Sequence, residues 1–191
     1  MTSFYRLQQG KDPVIPTYES LNVPTFINCR GTYTVLGGSL ALPEVREAME
    51  RAANGYVEMK TLYEAAGAFL AKRMGAEWGL VTSGSAGALC LITAACITGG
   101  DPEKMARLPD CCGLPNKVVT QTAHHHPFEQ AIRMTGAELE AVDDFLELQQ
   151  AVDERTVMLA FLGEASEKGQ IGLEQMIALG KNRRIPVVVD R

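Results

Sequence analysis

VTSGSAGAL, residues 81–89, runs from an apolar segment through five small residues into a second apolar run. Ser83, Gly84, Ser85, Ala86 and Gly87 fill almost no space. Such a stretch is either an ordinary tight turn with Ser85 as a helix cap, or a place where a ligand approaches the backbone. A helix opening at Ser85 presents N–H groups without intrahelical partners and the positive end of its dipole. Small side chains let an anion reach those N–H groups, and a phosphate group is the natural guest. The stretch is not a P-loop, because no Lys-Ser/Thr pair follows the glycines, and its glycine spacing is not GxGxxG.

Outward from this turn the chain alternates between strand and helix patterns. EWGLVT (77–82) reads as a strand and 85–98 as a helix. Residues 99–116, with Pro102, Pro109 and Pro115, read as an irregular connection. KVVTQT (117–122), AELEAV (137–142), TVMLAFL (156–162) and IPVVVD (185–190) read as strands, with helices near 127–135, 143–153 and 172–183 between them. The runs at 156–162 and 185–190 are almost continuously apolar, which suits strands covered on both faces. The expected fold class is therefore α/β, a three-layer αβα sandwich with a mostly parallel sheet. Upstream, Pro43 opens a helix that Asn54-Gly55 closes, and a second helix spans about 60–74. Residues 1–26 read as an extended arm.

With 191 residues, 46% hydrophobic and 21% charged, the chain can bury one sizeable core. Its net charge of −5 argues against nucleic acid as the main partner. No signal-peptide core opens the sequence, and the longest apolar stretch, Ala86 to Thr98, is too short to span a bilayer. Five cysteines without a CxxC pair read as free thiols in a cytoplasmic protein.

Two further stretches carry chemistry. Asp190 ends an apolar strand at the carboxyl edge of the expected sheet, where ligands of open α/β sheets bind. A carboxylate beside apolar residues needs a partner. A protonated ring nitrogen fits, as in pyridoxal phosphate enzymes; a turn or helix-cap role is the alternative. QTAHHHPFEQAIR (121–133) follows another strand, and an imidazole there can stack on a flat ring. In an extended segment His124 and His126 share a face while His125 points away. A metal would need a third ligand, and none is placed, so no metal is assigned.

Together, INCRGTYTVLGGSLALPEVREAM, AEWGLVTSGSAGAL, DCCGLPNKVV with HHHPFEQAIRMTGAEL, and IPVVVD resemble the selenocysteine-synthase-like branch of the fold-type I pyridoxal phosphate enzymes. Within it the likeness is greatest to the D-glucosaminate-6-phosphate ammonia-lyase group. The resemblance covers roughly residues 25–190 and implies pyridoxal 5'-phosphate as cofactor. It implies that Ser83, Gly84, Ser85 and Ala86 hold the cofactor phosphate and that His124 stacks on the ring, with His125 as the next choice. Asp190 then pairs with the pyridine nitrogen. Asn28, Arg30 and the segment Gly31 to Ser39 would lie near the active site.

In that family the Schiff-base lysine follows the aspartate by a few tens of residues. All seven lysines of this chain precede Asp190, so the matching lysine is absent and no catalytic residue is assigned. The expectation is an arm and glycine-rich segment over 1–40, then an incomplete cofactor-binding large domain over 41–191. The implied chemistry is ammonia-lyase or β-elimination on an amino acid or amino sugar acid, in a homo-oligomer acting on a small amino substrate. Selenium transfer to seryl-tRNA is the runner-up, disfavoured by the acidic charge and the short stretch before the resemblance begins. A non-catalytic cofactor binder completed by a second polypeptide, and a plain nucleotide-binding domain, are the remaining readings.

Overall fold

The computed structural model describes residues 15–191; the beginning of the expected arm, with Lys11 and Pro13, lies outside the described residues. The chain divides into two compact units, one up to Glu58 and one from Met59 to Arg191. In the first, a 3-10 turn at Thr34–Leu36 ends on Gly37 at φ 87°. Helix α1 follows at Pro43–Ala53, with Pro43 in its first turn. Val45 and Met49 on this helix remain 46% and 65% exposed. Asn28 closes a local turn, its Oδ1 accepting from the N–H groups of Arg30 and Gly31.

The second unit opens with α2, Met59–Met74. A Cβ on Gly67 of this helix would run into the Gly79 carbonyl oxygen, so α2 and the segment after it touch backbone to backbone. That segment is where expectation and structure part. Residues 77–82 pair with no strand among the described residues. Trp78 is 70% exposed and Leu80 44%. Alternating apolar residues express a preference, but a strand also requires a neighbour that offers its N–H and C=O groups.

Helix α3 spans Ser85–Thr98, as its pattern predicts. The supposedly irregular connection holds a short helix, α4, at Pro102–Arg107. Asp101 caps it, its carboxylate accepting from Glu103 N–H at 2.9 Å and Lys104 N–H at 3.4 Å. Asp-Pro is a helix start as readily as a turn, which is why the proline count alone misleads there.

The sheet has four parallel strands: β1 Lys117–Gln121, β2 Glu138–Val142, β3 Thr156–Leu162 and β4 Val187–Asp190. Their spatial order is β2-β1-β3-β4. Successive side chains point to opposite faces, and both faces are covered. Val118 and Met158 pack with Leu89 and Ile97 of α3 and with Ala131 and Ile132 of the short helix α5, Gln130–Arg133. Val119, Leu159 and Phe161 pack on the other side, against Leu148 of α6 (Phe145–Ala151) and Met176 and Leu179 of α7 (Leu173–Arg183). Leu148, Met158, Leu159 and Met176 are fully buried, each stabilising by about 1.5–3 kcal/mol. The fold is α/β with helices on both faces of a parallel sheet.

At the amino edge, buried Lys117 donates to the Ala151 carbonyl and pairs with Asp153 at 2.8 Å and Glu140 at 3.1 Å. Burial alone would lower its pKa, but these partners raise it. The opposite edge matters for function. The chain leaves β1 for β2 on one side and later returns to β3 on the other. This reversal opens a crevice beyond the carboxyl ends of β1 and β3, where ligands bind in open α/β sheets.

Candidate functional site

The small-residue turn brings α3 to that edge. Gly84 is the residue before the helix, at φ 124° and ψ 174°, a conformation that side chains other than glycine's rarely adopt. The Thr82 hydroxyl donates to its carbonyl at 2.9 Å. Among the described residues no side chain caps the helix start. Ser83, Gly84, Ser85 and Ala86 are all exposed. The helix cap is therefore Gly84 rather than Ser85, and the first N–H groups of a 14-residue helix stand open.

Asp190 stands at the end of β4, in register with Leu162 of β3. Its side chain is half-buried and makes no hydrogen bond or ion pair with the described residues. Ser85 and Asp190 line one cleft of about 210 Å³, together with His126, Phe128, Leu162 and Glu164. No lysine lies on its wall among the described residues.

The histidines separate. His124 ends a 3-10 turn at Thr122–His124 and is 1% exposed. Its Nδ1 accepts from the Leu162 N–H at 3.2 Å, which leaves the ring proton on Nε2. Its ring meets Phe161 edge-on, with centroids 4.6 Å apart. Gln121 beneath it is clamped to Ile171, accepting from its N–H at 2.8 Å and donating to its carbonyl at 2.9 Å. His124 thus ties β1 to β3 under the cleft. With His126 and Asp190 it also borders a cavity of about 20 Å³, the size of a single water. His125 turns outward, with its side chain 77% exposed. His126 stands at the cleft, its Nδ1 accepting from Phe128 N–H at 3.2 Å. The segment is not extended, as the alternation argument assumed. The 3-10 turn breaks the two-residue period and parts His124 from His126.

Burial pushes the His124 pKa down, a hydrogen bond at the Ala165 backbone opposes this, and the charge of His126 lowers it further. The folded state therefore keeps His124 neutral where the unfolded chain, near the usual 6.5, binds a proton. Its contribution to stability is full above about pH 6.5 and is lost as the pH falls from there through the lowered value. Urea unfolding at pH 7.5 and 5.5 is expected to show a larger acid loss for the native protein than for His124→Gln. Equal losses would contradict the assignment.

Among the described residues no three His, Cys, Asp or Glu side chains are arranged to hold a metal, and no helix is long and apolar enough to cross a membrane. All five cysteines are unpaired. The site that emerges has open amides on one wall, an unpartnered carboxylate on another and an imidazole beside both. Sequence reasoning missed His126, Phe128 and Glu164 as cleft residues. For His126 and Phe128 the signal was the turn chemistry of His-Pro after β1; Glu164 lies in the 3-10 turn Gly163–Ala165 after β3.

No protein-family model matches the chain. It is 30% identical over 184 residues to D-glucosaminate-6-phosphate ammonia lyase of Salmonella typhimurium, covering 91% of this chain and 50% of that protein. It is 32% identical over 186 residues to 5'-C-glycyluridine monooxygenase-decarboxylase of a Streptomyces species, covering 91% of this chain and 47% of the relative. A solved structure of D-glucosaminate-6-phosphate ammonia-lyase superposes with a TM-score of 0.86, covering 92% of this chain and 51% of that one. The chain spans about half the length of the curated relatives it matches. In sequence and in fold it is close to that ammonia lyase.

Proposed function

We propose that the cleft binds pyridoxal 5'-phosphate and that the chain belongs to the machinery of a pyridoxal phosphate-dependent lyase, in a cytoplasmic homo-oligomer. The observation that carries this reading is the shared cleft of Ser85 and Asp190, open amides facing an unpartnered acid. The residues fit the group. Ser83, Gly84, Ser85 and Ala86 would hold the phosphate through the first N–H groups of α3. Asp190 would hold the proton on the pyridine nitrogen. His126 would lie against the ring, with His124 fixing the floor below. Bound there, the cofactor supplies an electron sink for a bond breaking at the substrate's α-carbon. Leu162 and Phe128 form the apolar part of the wall.

The names of the two relatives define a substrate class. A glucosaminate and a glycyluridine each place an α-amino acid on a sugar-derived body, although one relative is a lyase and the other a monooxygenase-decarboxylase. The substrate proposed here is accordingly an amino acid or amino sugar acid whose side chain carries hydroxyl groups. Elimination of ammonia or of a β-substituent is the proposed reaction.

The lysine-free cleft wall favours a second element in this reading: the chain alone holds the cofactor reversibly and depends on a further polypeptide segment for covalent attachment. Titration with pyridoxal phosphate is expected to give saturable binding that dialysis removes. Borohydride is expected to trap no adduct on any of the seven lysines. Absence of saturable binding refutes the cofactor reading; a stable adduct refutes the reversible one.

A further inference from the structure

A buried acid beside the cleft has no part in the reading above. Glu129 closes the 3-10 turn Pro127–Glu129, and its side chain is 8% exposed. On its inner side it borders the cavity of about 20 Å³ shared with His124, His126 and Asp190. On its outer side it borders a pocket of about 140 Å³ lined also by Thr122, His125 and Arg133. A carboxylate so enclosed needs a partner. The nearest is His125, whose Nδ1 lies 3.0 Å from Glu129 Oε2; the Arg133 guanidinium stands farther off, at 3.7 Å.

These contacts wind one segment. His125 N–H donates to the Thr122 carbonyl at 3.2 Å, and Glu129 N–H donates to the His126 carbonyl at 3.2 Å. His126 sits between the two anchors. Its Nδ1 is already an acceptor for Phe128 N–H, so the ring proton of the neutral form lies on Nε2. Without that ion pair, His125 would no longer tie the chain before His126 to the turn after it.

We infer that Glu129, through its hold on His125, is a positioning residue that keeps the His126 ring against the cleft in its Nε2–H form. The consequence for cofactor affinity rests on the pyridoxal phosphate reading; the tautomer does not. Nitrogen-15 spectra of the imidazoles in the unliganded protein are expected to show His126 as a single Nε2–H tautomer. In Glu129→Ala, and in His125→Ala at its exposed position, the His126 signals are expected to move toward a mixture of the two tautomers. Glu129→Gln keeps an acceptor for His125 Nδ1–H and is expected to restore the native signal. Affinity for pyridoxal phosphate is expected to fall about tenfold in the alanine variants, corresponding to about 1.4 kcal/mol. The double variant is expected to be no worse than either single one. Affinity for inorganic phosphate, which uses only the α3 amides, is expected to stay unchanged.

A native His126 tautomer in both alanine variants overturns the inference, as does a parallel loss of phosphate affinity, which marks general unfolding. Should Glu129→Ala fail to fold, His125→Ala decides alone. Should the native protein bind no pyridoxal phosphate, the cofactor reading falls while the tautomer measurement still decides the role of Glu129.

Discussion

Asp190→Asn is expected to weaken pyridoxal phosphate binding by roughly 100-fold while leaving the stability of the protein unchanged. A hydrogen bond to a charged group contributes about 1.5–3 kcal/mol, or roughly 10- to 150-fold in affinity. The upper part of that range applies because the carboxylate is half-buried and without a competing partner. Stability is spared for the same reason: no hydrogen bond or ion pair within the described residues is lost. Asparagine keeps the shape at the end of β4 but cannot hold a proton on a ring nitrogen. Inorganic phosphate should bind the variant as well as the native protein, since it meets only the turn at Ser83–Ala86. Fluorescence titration with both ligands separates these terms. Equal pyridoxal phosphate affinity in the two proteins would remove Asp190 from the site, and a falling melting temperature would assign it a structural role instead.

The largest effect on stability is expected at Gly136, in the turn before β2. Its φ is 88°, and a Cβ there would run into the Pro109 carbonyl oxygen and come within 2.7 Å of Cys111 Sγ. Its carbonyl also accepts from Asn116 Nδ2 at 2.8 Å, so the turn cannot slide away from the neighbouring loop. Gly136→Ala combines a left-handed backbone cost of about 1–2 kcal/mol with an overpacking cost of about 1–3 kcal/mol. Thermal unfolding should fall by roughly 10 °C for a chain of this size. Gly113 supplies the control: its φ is 73°, but nothing lies within 4 Å of a Cβ built on it. Gly113→Ala should therefore show only the backbone cost. If the two variants unfold at the same temperature, the close approach at Gly136 is not what demands glycine.

Of the residues these predictions and the site rest on, some are conspicuous in the sequence, but for reasons it states only halfway. Asp190 is visible as an acid closing a valine run, and nothing in that run says whether a neighbouring chain segment neutralises it. The three histidines are visible as a group, but their separate directions depend on a 3-10 turn whose hydrogen bond runs from His125 N–H to Thr122. Glu129 gives no signal at all as a buried acid, since an Asp or Glu two residues after a His-Pro pair is an ordinary helix-start residue.

What the residues determined by themselves is local and periodic. Alternation and apolar runs marked β1 to β4 and helices α2, α3 and α7 to within a few residues, because side-chain period and backbone conformation are set by neighbours in the chain. The small residues at 83–87 marked a helix start for the same reason, though not whether Ser85 capped it or the amides stood open. Which strands pair, and therefore where the sheet reverses direction, was decided only in three dimensions. So was the failure of residues 77–82 to join the sheet, the descent of His124 into the core, and the meeting of Ser85 with Asp190 across more than half the chain. Pairing and burial depend on partners distant in sequence, and no run of neighbouring residues carries that information.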